Sequence, residues 1–340
     1  MYIEGAQNLQ NQLVDGYVRV ARKLRISVTD RCNMRCVYCM PFNNTDWFEQ
    51  DNILSYEEIT RLTTLFVSLG VEKIRVTGGE PTIRPNIETL IGALSKINGI
   101  KSIGMTTNGL LLQEKIQQLK AAGLGSVNIS LDTFRADRFK AMCGIDGVSK
   151  ILASIRAAHD AGLKVKINTV IMRGWNDEEV EDFARFARDT GLVVKFIEFM
   201  PLDGTGIWAP DLVFSKGEMI ERINKNVKEL VPLHNDNSET AMLYSFIDGK
   251  GTLGFIPSMT QPFCAYCDRV RITSDGRFLT CLFENPGYDL KNLLRDRRSN
   301  DDDIKGYILQ CIRKKPEGII NIIRTKALRP RINVMHRIGG

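Results

Sequence analysis

From residue 24 to residue 198 the chain alternates short runs rich in β-branched residues with longer helical stretches. The runs at 24–28, 73–77, 101–106, 126–131, 164–171 and 193–198 have the length and composition of strands. Helices fit between them at 55–69, 87–97, 113–122, 148–161 and 177–189. The first opens with Ser55 as N-cap and Glu58 three residues later, a capping box, and closes at Gly70. Gly123, Gly162 and Gly191 stand where later helices should stop. Six β/α units in series predict a parallel sheet, doubly wound or a partial barrel.

Polar groups at the strand ends favour the barrel, in which working residues collect at the C-terminal rim. Three cysteines follow the first strand, Gly78-Gly79-Glu80-Pro81 the second, and Thr106-Thr107-Asn108-Gly109 the third. Ser130 and Asp132 close the fourth, Lys166 and Asn168 lie in the fifth, and Glu198 to Met200 end the sixth. The expected fold is α/β, a partial (βα)6 TIM-like barrel over 19–206. An N-terminal extension covers 1–18 and a C-terminal region 207–340. After Pro201 the alternation is lost: a connector runs to Asp211, and the remainder reads as irregular apart from a helix at 216–225 and a hairpin through 243–256.

Apolar content of 43% and charged content of 25% are those of an ordinary globular chain. The longest apolar runs are strand-length, which predicts no membrane span, and residues 1–16 carry no Lys or Arg, so the expected location is cytoplasmic. The net charge of +6 is uneven: residues 313–337 hold eight Lys or Arg against the single acid Glu317. A nucleic-acid surface, a polyphosphate substrate and a solvated face all fit that excess.

Eight cysteines in a cytosolic chain point to metal or redox chemistry rather than disulfides. Cys32, Cys36 and Cys39 have the spacing C-x3-C-x2-C. Four-iron clusters normally take four thiolates, so three leave one iron open to an outside ligand. A zinc site prefers paired C-x2-C units and four ligands, and plain core cysteines are a further reading. Cys264 and Cys267 form a C-x2-C pair followed by Cys281. Cys311 could complete a zinc site there; a second cluster with an open iron is the sharper reading. Arg269-Val270-Arg271 lies between, two guanidiniums on one side of an extended segment, suited to phosphate oxygens or to an exposed edge strand. Cys143 and Cys311 read as packed small side chains.

The run 31–39 resembles the signature of the radical S-adenosylmethionine superfamily. Two three-cysteine sets with Gly-Gly-Glu-Pro, Thr-Thr-Asn-Gly, Ile197-Glu198-Phe199-Met200, Arg269-Val270-Arg271 and a terminal Gly339-Gly340 together resemble the GTP 3′,8-cyclase family of molybdenum cofactor biosynthesis, from about Arg19 to the last residue. The resemblance implies two [4Fe-4S] clusters, on Cys32, Cys36 and Cys39 and on Cys264, Cys267 and Cys281. It implies S-adenosylmethionine contacts at Tyr38, Gly79, Ser130 and Met200. GTP contacts would fall at Arg25, Arg75, Thr106, Lys166, Arg269, Val270 and Arg271, with Gly339 and Gly340 as a tail entering the active site. The implied reaction is hydrogen abstraction from C3′ of GTP and closure onto C8. The implied partners are a flavodoxin- or ferredoxin-like electron donor and cyclic pyranopterin monophosphate synthase downstream, with no nucleic acid, for a monomer or a homodimer. A radical enzyme acting on a peptide and a zinc-stabilised nucleic-acid module are the competing readings. The chain departs from the family pattern in the loop 42–47 and at Thr82.

Overall fold

The computed structural model describes residues 11–40, 46–202, 206–234, 239–324 and 334–339. Its six leading strands are β1 (Lys23–Ser27), β2 (Lys73–Thr77), β3 (Ser102–Thr107), β4 (Ser126–Ser130), β5 (Lys164–Ile171) and β6 (Val193–Glu198). Between them run α1 (Tyr56–Ser68), α2 (Ile87–Ser95), α3 (Leu112–Ala121), α4 (Ala136–Cys143), α5 (Val148–Asp160) and α6 (Val180–Thr190). The capping box at Ser55 and Glu58 is formed, and Gly123, Gly162 and Gly191 take the left-handed φ that ends a helix. Of these elements, α4 is the one the pattern did not announce.

The C-terminal region is less irregular than its sequence suggests. Helix α7 (Lys216–Asn226) leads into β7 (Leu230–Pro232), β8 (Met242–Phe246) and β9 (Thr252–Ile256). The expected hairpin is β8 and β9, and β9 continues the main sheet by pairing parallel to β6. At the opposite edge β10 (Arg269–Ile272) pairs parallel to β1, followed by antiparallel β11 (Arg277–Leu279) and β12 (Tyr288–Asp289). The order is β12-β11-β10-β1-β2-β3-β4-β5-β6-β9-β8-β7, so eight parallel strands sit between antiparallel flanks. Among the described residues four helices follow: α8 (Lys291–Arg295), α9 (Asp301–Ile312), α10 (Ile319–Arg324) and α11 (Met335–Ile338). Helix α9 starts on an Asn300 and Asp303 capping box.

Period-two alternation decides which way each strand faces. Leu24, Ile26, Ile74, Val76, Ile103, Met105, Val127, Ile129, Val165, Ile167, Val194, Phe196, Leu253, Phe255, Val270 and Ile272 are all buried in one core, which includes the inward faces of the helices. The other face carries Arg25, Arg75, Gly104, Thr106, Asn128, Ser130, Lys166, Asn168, Lys195 and Arg271, and the register sets Arg25 beside both Arg75 and Arg271. One cavity is lined at once by residues of β1, β4, β5, β6, β9 and β10. A sheet whose two ends face the same void is curled, and its inner wall is polar where a closed barrel would be packed with aliphatic side chains.

Because the Ser55 hydroxyl accepts from Glu58 N and the Glu58 carboxylate accepts from Ser55 N, Ser55→Ala should lower stability by about 1 kcal/mol. Urea unfolding should show a reduced midpoint with an unchanged slope.

Candidate active site

Strand direction places the two cysteine triplets at opposite ends of the curled sheet. Cys32, Cys36 and Cys39 follow the C-terminal end of β1. Cys264 and Cys267 precede β10, which runs parallel to β1, and Cys281 follows β11, which runs back antiparallel. A five-residue strand spans roughly 16 Å, so the lumen between the triplets can hold more than one small molecule.

Two abutting cavities fill it. The upper one, about 180 Å³, is lined by Cys32, Cys36, Tyr38, Cys39, Gly79, Thr106, Ser130 and Met200 among others. The lower one, about 160 Å³, is lined by Arg25, Lys195, Arg269, Arg271, Cys264, Cys267 and Cys281. Asn168, Ile197, Met200 and Met335 line both. The structure therefore gathers the sequence candidates into one continuous space, with Arg75 and Lys166 on the same inner face by register. Val270 is the exception: its side chain is buried on the opposite face, in the core. Thr106 sits in the upper cavity. The segment Arg269–Ile272 is an interior strand rather than an edge, since β10 is paired on both sides.

Carboxylates tie the upper rim together. Buried Glu80 accepts from Thr82 N, Thr82 Oγ1, Thr107 Oγ1 and Asn108 N at 2.5–2.9 Å. This joins the loops after β2 and β3, and it employs the threonine that departs from the family pattern. Glu198 likewise accepts from Lys216 N, Met259 N, Thr260 N and Thr260 Oγ1. Gly79 is glycine for a local reason: a Cβ would lie 2.2 Å from Arg31 O. Tyr38 donates its hydroxyl to Asp132 Oδ2 at 2.5 Å, and burial raises the Asp132 carboxyl to about 6.

The donor sets suit clusters. None of the six thiols is in a disulfide. Burial, then neighbouring Cys36, pushes Cys32 up to about 12, and burial raises Cys281 to about 11. At Cys267 burial is outweighed by Arg269 and Lys315, which bring the thiol down to about 7. Among the described residues no three His, Cys, Asp or Glu side chains converge tightly enough for a single metal ion. Instead each triplet lines a cavity wall, as thiolates on separate irons of one cluster would. Cys311 is buried on α9 and does not line the lower cavity, leaving that set at three. Cys143 is fully buried in the main core, as a packed small side chain would be.

The lumen is positively charged. Burial is the leading cause that lowers Arg25, Arg75, Lys166, Lys195 and Arg271, bringing Arg75 and Arg271 to about 10 and Lys195 to about 8. The acid facing this group is Glu239, which bonds Lys23 Nζ at 3.1 Å and is drawn down by Lys23, Lys195 and Lys166 against its own burial. Two buried polar atoms in the upper cavity, Thr106 Oγ1 and Asn168 Oδ1, have no hydrogen-bond partner. Orphaned atoms of this kind fit a polar ligand.

Several participants were not legible in the sequence. Lys195 sits in an ordinary-looking strand, and only its register beside Asn168 and Gly254 puts it in the lumen. Gly104 leaves room for the Arg75 guanidinium, since a Cβ there would lie 2.6 Å from Arg75 Cζ. The tail enters the site as far as it is described: Met335 and His336 line the upper cavity, and Arg271 Nη1 donates to Gly339 O at 2.5 Å. Gly339 has φ +74°, and a Cβ would lie 2.4 Å from Thr77 Cγ2, so glycine is required. Gly340 lies outside the described residues.

A curled parallel sheet with a three-cysteine loop after its first strand defines the radical S-adenosylmethionine class, and the Radical SAM superfamily model matches residues 26–187. The Molybdenum Cofactor Synthesis C model matches residues 192–320. A GTP 3′,8-cyclase of Thermodesulfovibrio yellowstonii is 42% identical over 96% of this chain and 99% of its own length. The mitochondrial GTP 3′,8-cyclase of Arabidopsis thaliana is 40% identical over 96% of this chain and 84% of its own. The chain belongs to the GTP 3′,8-cyclase family. Streptococcus suis SuiB, in a crystal structure with bound S-adenosylmethionine, shares the fold, with a TM-score of 0.62 over 90% of this chain and 75% of that one at 17% identity. Among the described residues no helix is long and apolar enough to cross a membrane.

Lys195 gives the lumen a pH dependence. Above about pH 8 the free protein must take up a proton to present Lys195 as a cation to an incoming anion. Affinity for inorganic tripolyphosphate should therefore fall about tenfold more between pH 7 and 9 in the native protein than in Lys195→Met. Calorimetric titration at each pH checks this.

Proposed function

We propose that the chain is a radical S-adenosylmethionine enzyme that converts GTP to (8S)-3′,8-cyclo-7,8-dihydroguanosine 5′-triphosphate, the first step of molybdenum cofactor biosynthesis. The observation that carries this reading is a lumen lined by cations, with a cysteine triplet at each end. A buried triphosphate offsets such charge. A peptide, the alternative substrate class, brings too few negative charges to do so.

Cys32, Cys36 and Cys39 would hold the cluster that binds S-adenosylmethionine, and Cys264, Cys267 and Cys281 a second four-iron cluster facing the guanine. Held by Cys32, Cys36 and Cys39, the first cluster with its cofactor would supply the radical chemistry for hydrogen abstraction from C3′ of GTP. The chain's own residues do the positioning. Gly79 lets the loop after β2 lie against Asp30 and Arg31 beside the cofactor, while Tyr38, Ser130 and Met200 line its cavity. Asn168 and Met200, at the junction of the cavities, face both ligands. Arg25, Arg75, Lys166, Lys195, Arg269 and Arg271 bind the triphosphate, and Thr106 offers its unpaired hydroxyl from above. Val270 contributes only main chain. Holding C3′ and C8 in one geometry is the main catalytic contribution, and the tail from Met335 to Gly339 covers the site against water.

In this reading residues 19–206 form the barrel that carries the cofactor and much of the triphosphate site, and 207–340 add the second cluster and the remaining substrate contacts, after an extension at 1–18. The enzyme works in the cytoplasm as a monomer or homodimer. A flavodoxin- or ferredoxin-like protein supplies electrons, and cyclic pyranopterin monophosphate synthase takes the product.

Anaerobic incubation with S-adenosylmethionine, dithionite and GTP should yield 5′-deoxyadenosine and a GTP-derived pterin precursor. Stoichiometric zinc without sulfide in the anaerobically purified protein would sink this reading. Replacing Arg269 and Arg271 together by Met should weaken GTP binding about a hundredfold, in line with losing two charged contacts, while cofactor cleavage continues; unchanged affinity would refute the triphosphate assignment. Glu239→Gln should act oppositely and tighten tripolyphosphate binding roughly five- to tenfold by removing a competing internal anion, measured by the same titration.

A further inference from the structure

The second cysteine triplet is gripped from outside the lumen. Cys264 lines the lower cavity on one side and, on the other, a surface groove formed with Tyr17, Arg19, Gly318 and Ile319. Arg19 is 8% exposed, and its guanidinium makes four hydrogen bonds there. Its Nε bonds Asp15 Oδ2 at 2.6 Å. Its Nη1 donates to the carbonyl oxygens of Cys264 and Glu317, and its Nη2 to that of Pro316, each at 2.7 Å. Lys315, 4% exposed, donates from Nζ to the carbonyl oxygens of Cys267 and Arg269, both at 2.9 Å. Two buried cations thus hold the main chain at two of the three thiols.

Gly318 completes the grip. A Cβ on it would lie 2.6 Å from Cys264 Cβ and 3.0 Å from its Sγ. Its φ lies outside the left-handed region, so backbone conformation makes no demand for glycine. What excludes a side chain is the position of Cys264 itself. Arg19 arrives from 245 residues upstream of Cys264 and Lys315 from 48 downstream of Cys267, so neither contact follows from local chain stiffness.

We propose that Arg19, Lys315 and Gly318 are positioning residues for the second triplet, setting where Cys264 and Cys267 present their sulfurs and hence how firmly the second cluster is held. This rests on the two-cluster reading above. Ligand-orienting contacts of this kind are worth ten- to a hundredfold in metal affinity.

The sharpest test is Gly318→Ala, a one-methyl change aimed at Cys264, with Lys315→Met and Arg19→Met beside it. Each protein is reconstituted anaerobically and examined for iron and sulfide, by electron paramagnetic resonance after reduction, by thermal unfolding and for cofactor cleavage without GTP. The native enzyme should hold about eight irons. The variants should fall towards about four, lose the second cluster's resonance and at least tenfold in GTP turnover, and keep cofactor cleavage within about twofold. Arg19→Lys should recover part of the lost iron. A Gly318→Ala protein with full iron and an unaltered spectrum overturns the proposal. So does equal loss of iron from both triplets, which would make these residues general supports of the fold. If Arg19→Met does not fold, Gly318→Ala decides alone. A native protein holding only about four irons overturns the two-cluster reading itself, a result distinguishable from failure of the grip.

Discussion

Taking guanidinium and ammonium groups out of water without neutralising them costs several kcal/mol per ion, and this protein does it repeatedly along one wall. Arg25, Arg75, Lys166, Lys195 and Arg271 all have their protonated forms disfavoured by burial before any other cause. Such a wall persists only if the rest of the fold stores enough stability to support it. The opposite face of the same strands, which packs the aliphatic and aromatic core against the helices, supplies that. Neighbouring residues of one strand thus do opposite work: Leu24 and Ile26 stabilise the sheet that holds Arg25 in the lumen between them.

Local devices adapt the scaffold to that charge. Gly104 vacates the volume that the Arg75 guanidinium takes, and Gly254 leaves Lys195 its stem, a Cβ there lying 3.1 Å from Lys195 Cγ. Glu80 and Glu198 bind the rim loops by accepting several short hydrogen bonds each, so the loops that shape the upper cavity are tied to one another. The tail adds a further wall, pinned where Arg337 Nη2 meets Asp46 at 2.7 Å and where Arg271 meets Gly339. In the proposed reaction the cations recognise substrate, and the tail and rim keep solvent from the reacting atoms.

Much of this was readable before any coordinates. The strands at 73–77, 164–171 and 193–198 match their observed bounds, because in-register β-branched runs between helix stops leave little freedom. The first cysteine triplet, the Gly-Gly-Glu-Pro and Thr-Thr-Asn-Gly turns and the Ser55 cap each fall within a few residues of chain, and the second triplet within 264–281, so their chemistry is visible as spacing. Helix α9 was missed because its lead-in reads as a solvated acidic run, although Asn300 and Asp303 follow the rule that located α1. Lys195, Glu239 and the grip of Arg19, Lys315 and Gly318 on Cys264 and Cys267 have no local signature.

By itself, then, the sequence determined the β/α repeat, the alternation that gives each strand one apolar and one polar face, and the two sets of three thiols. These follow from interactions between residues a few positions apart. Only the tertiary structure decided that β10 returns to lie beside β1, that the two triplets therefore close opposite ends of one lumen, and that the last residues fold back into it. Those outcomes depend on contacts between segments some 250 residues apart, where sheet pairing and desolvation act through space and leave no periodic trace along the chain.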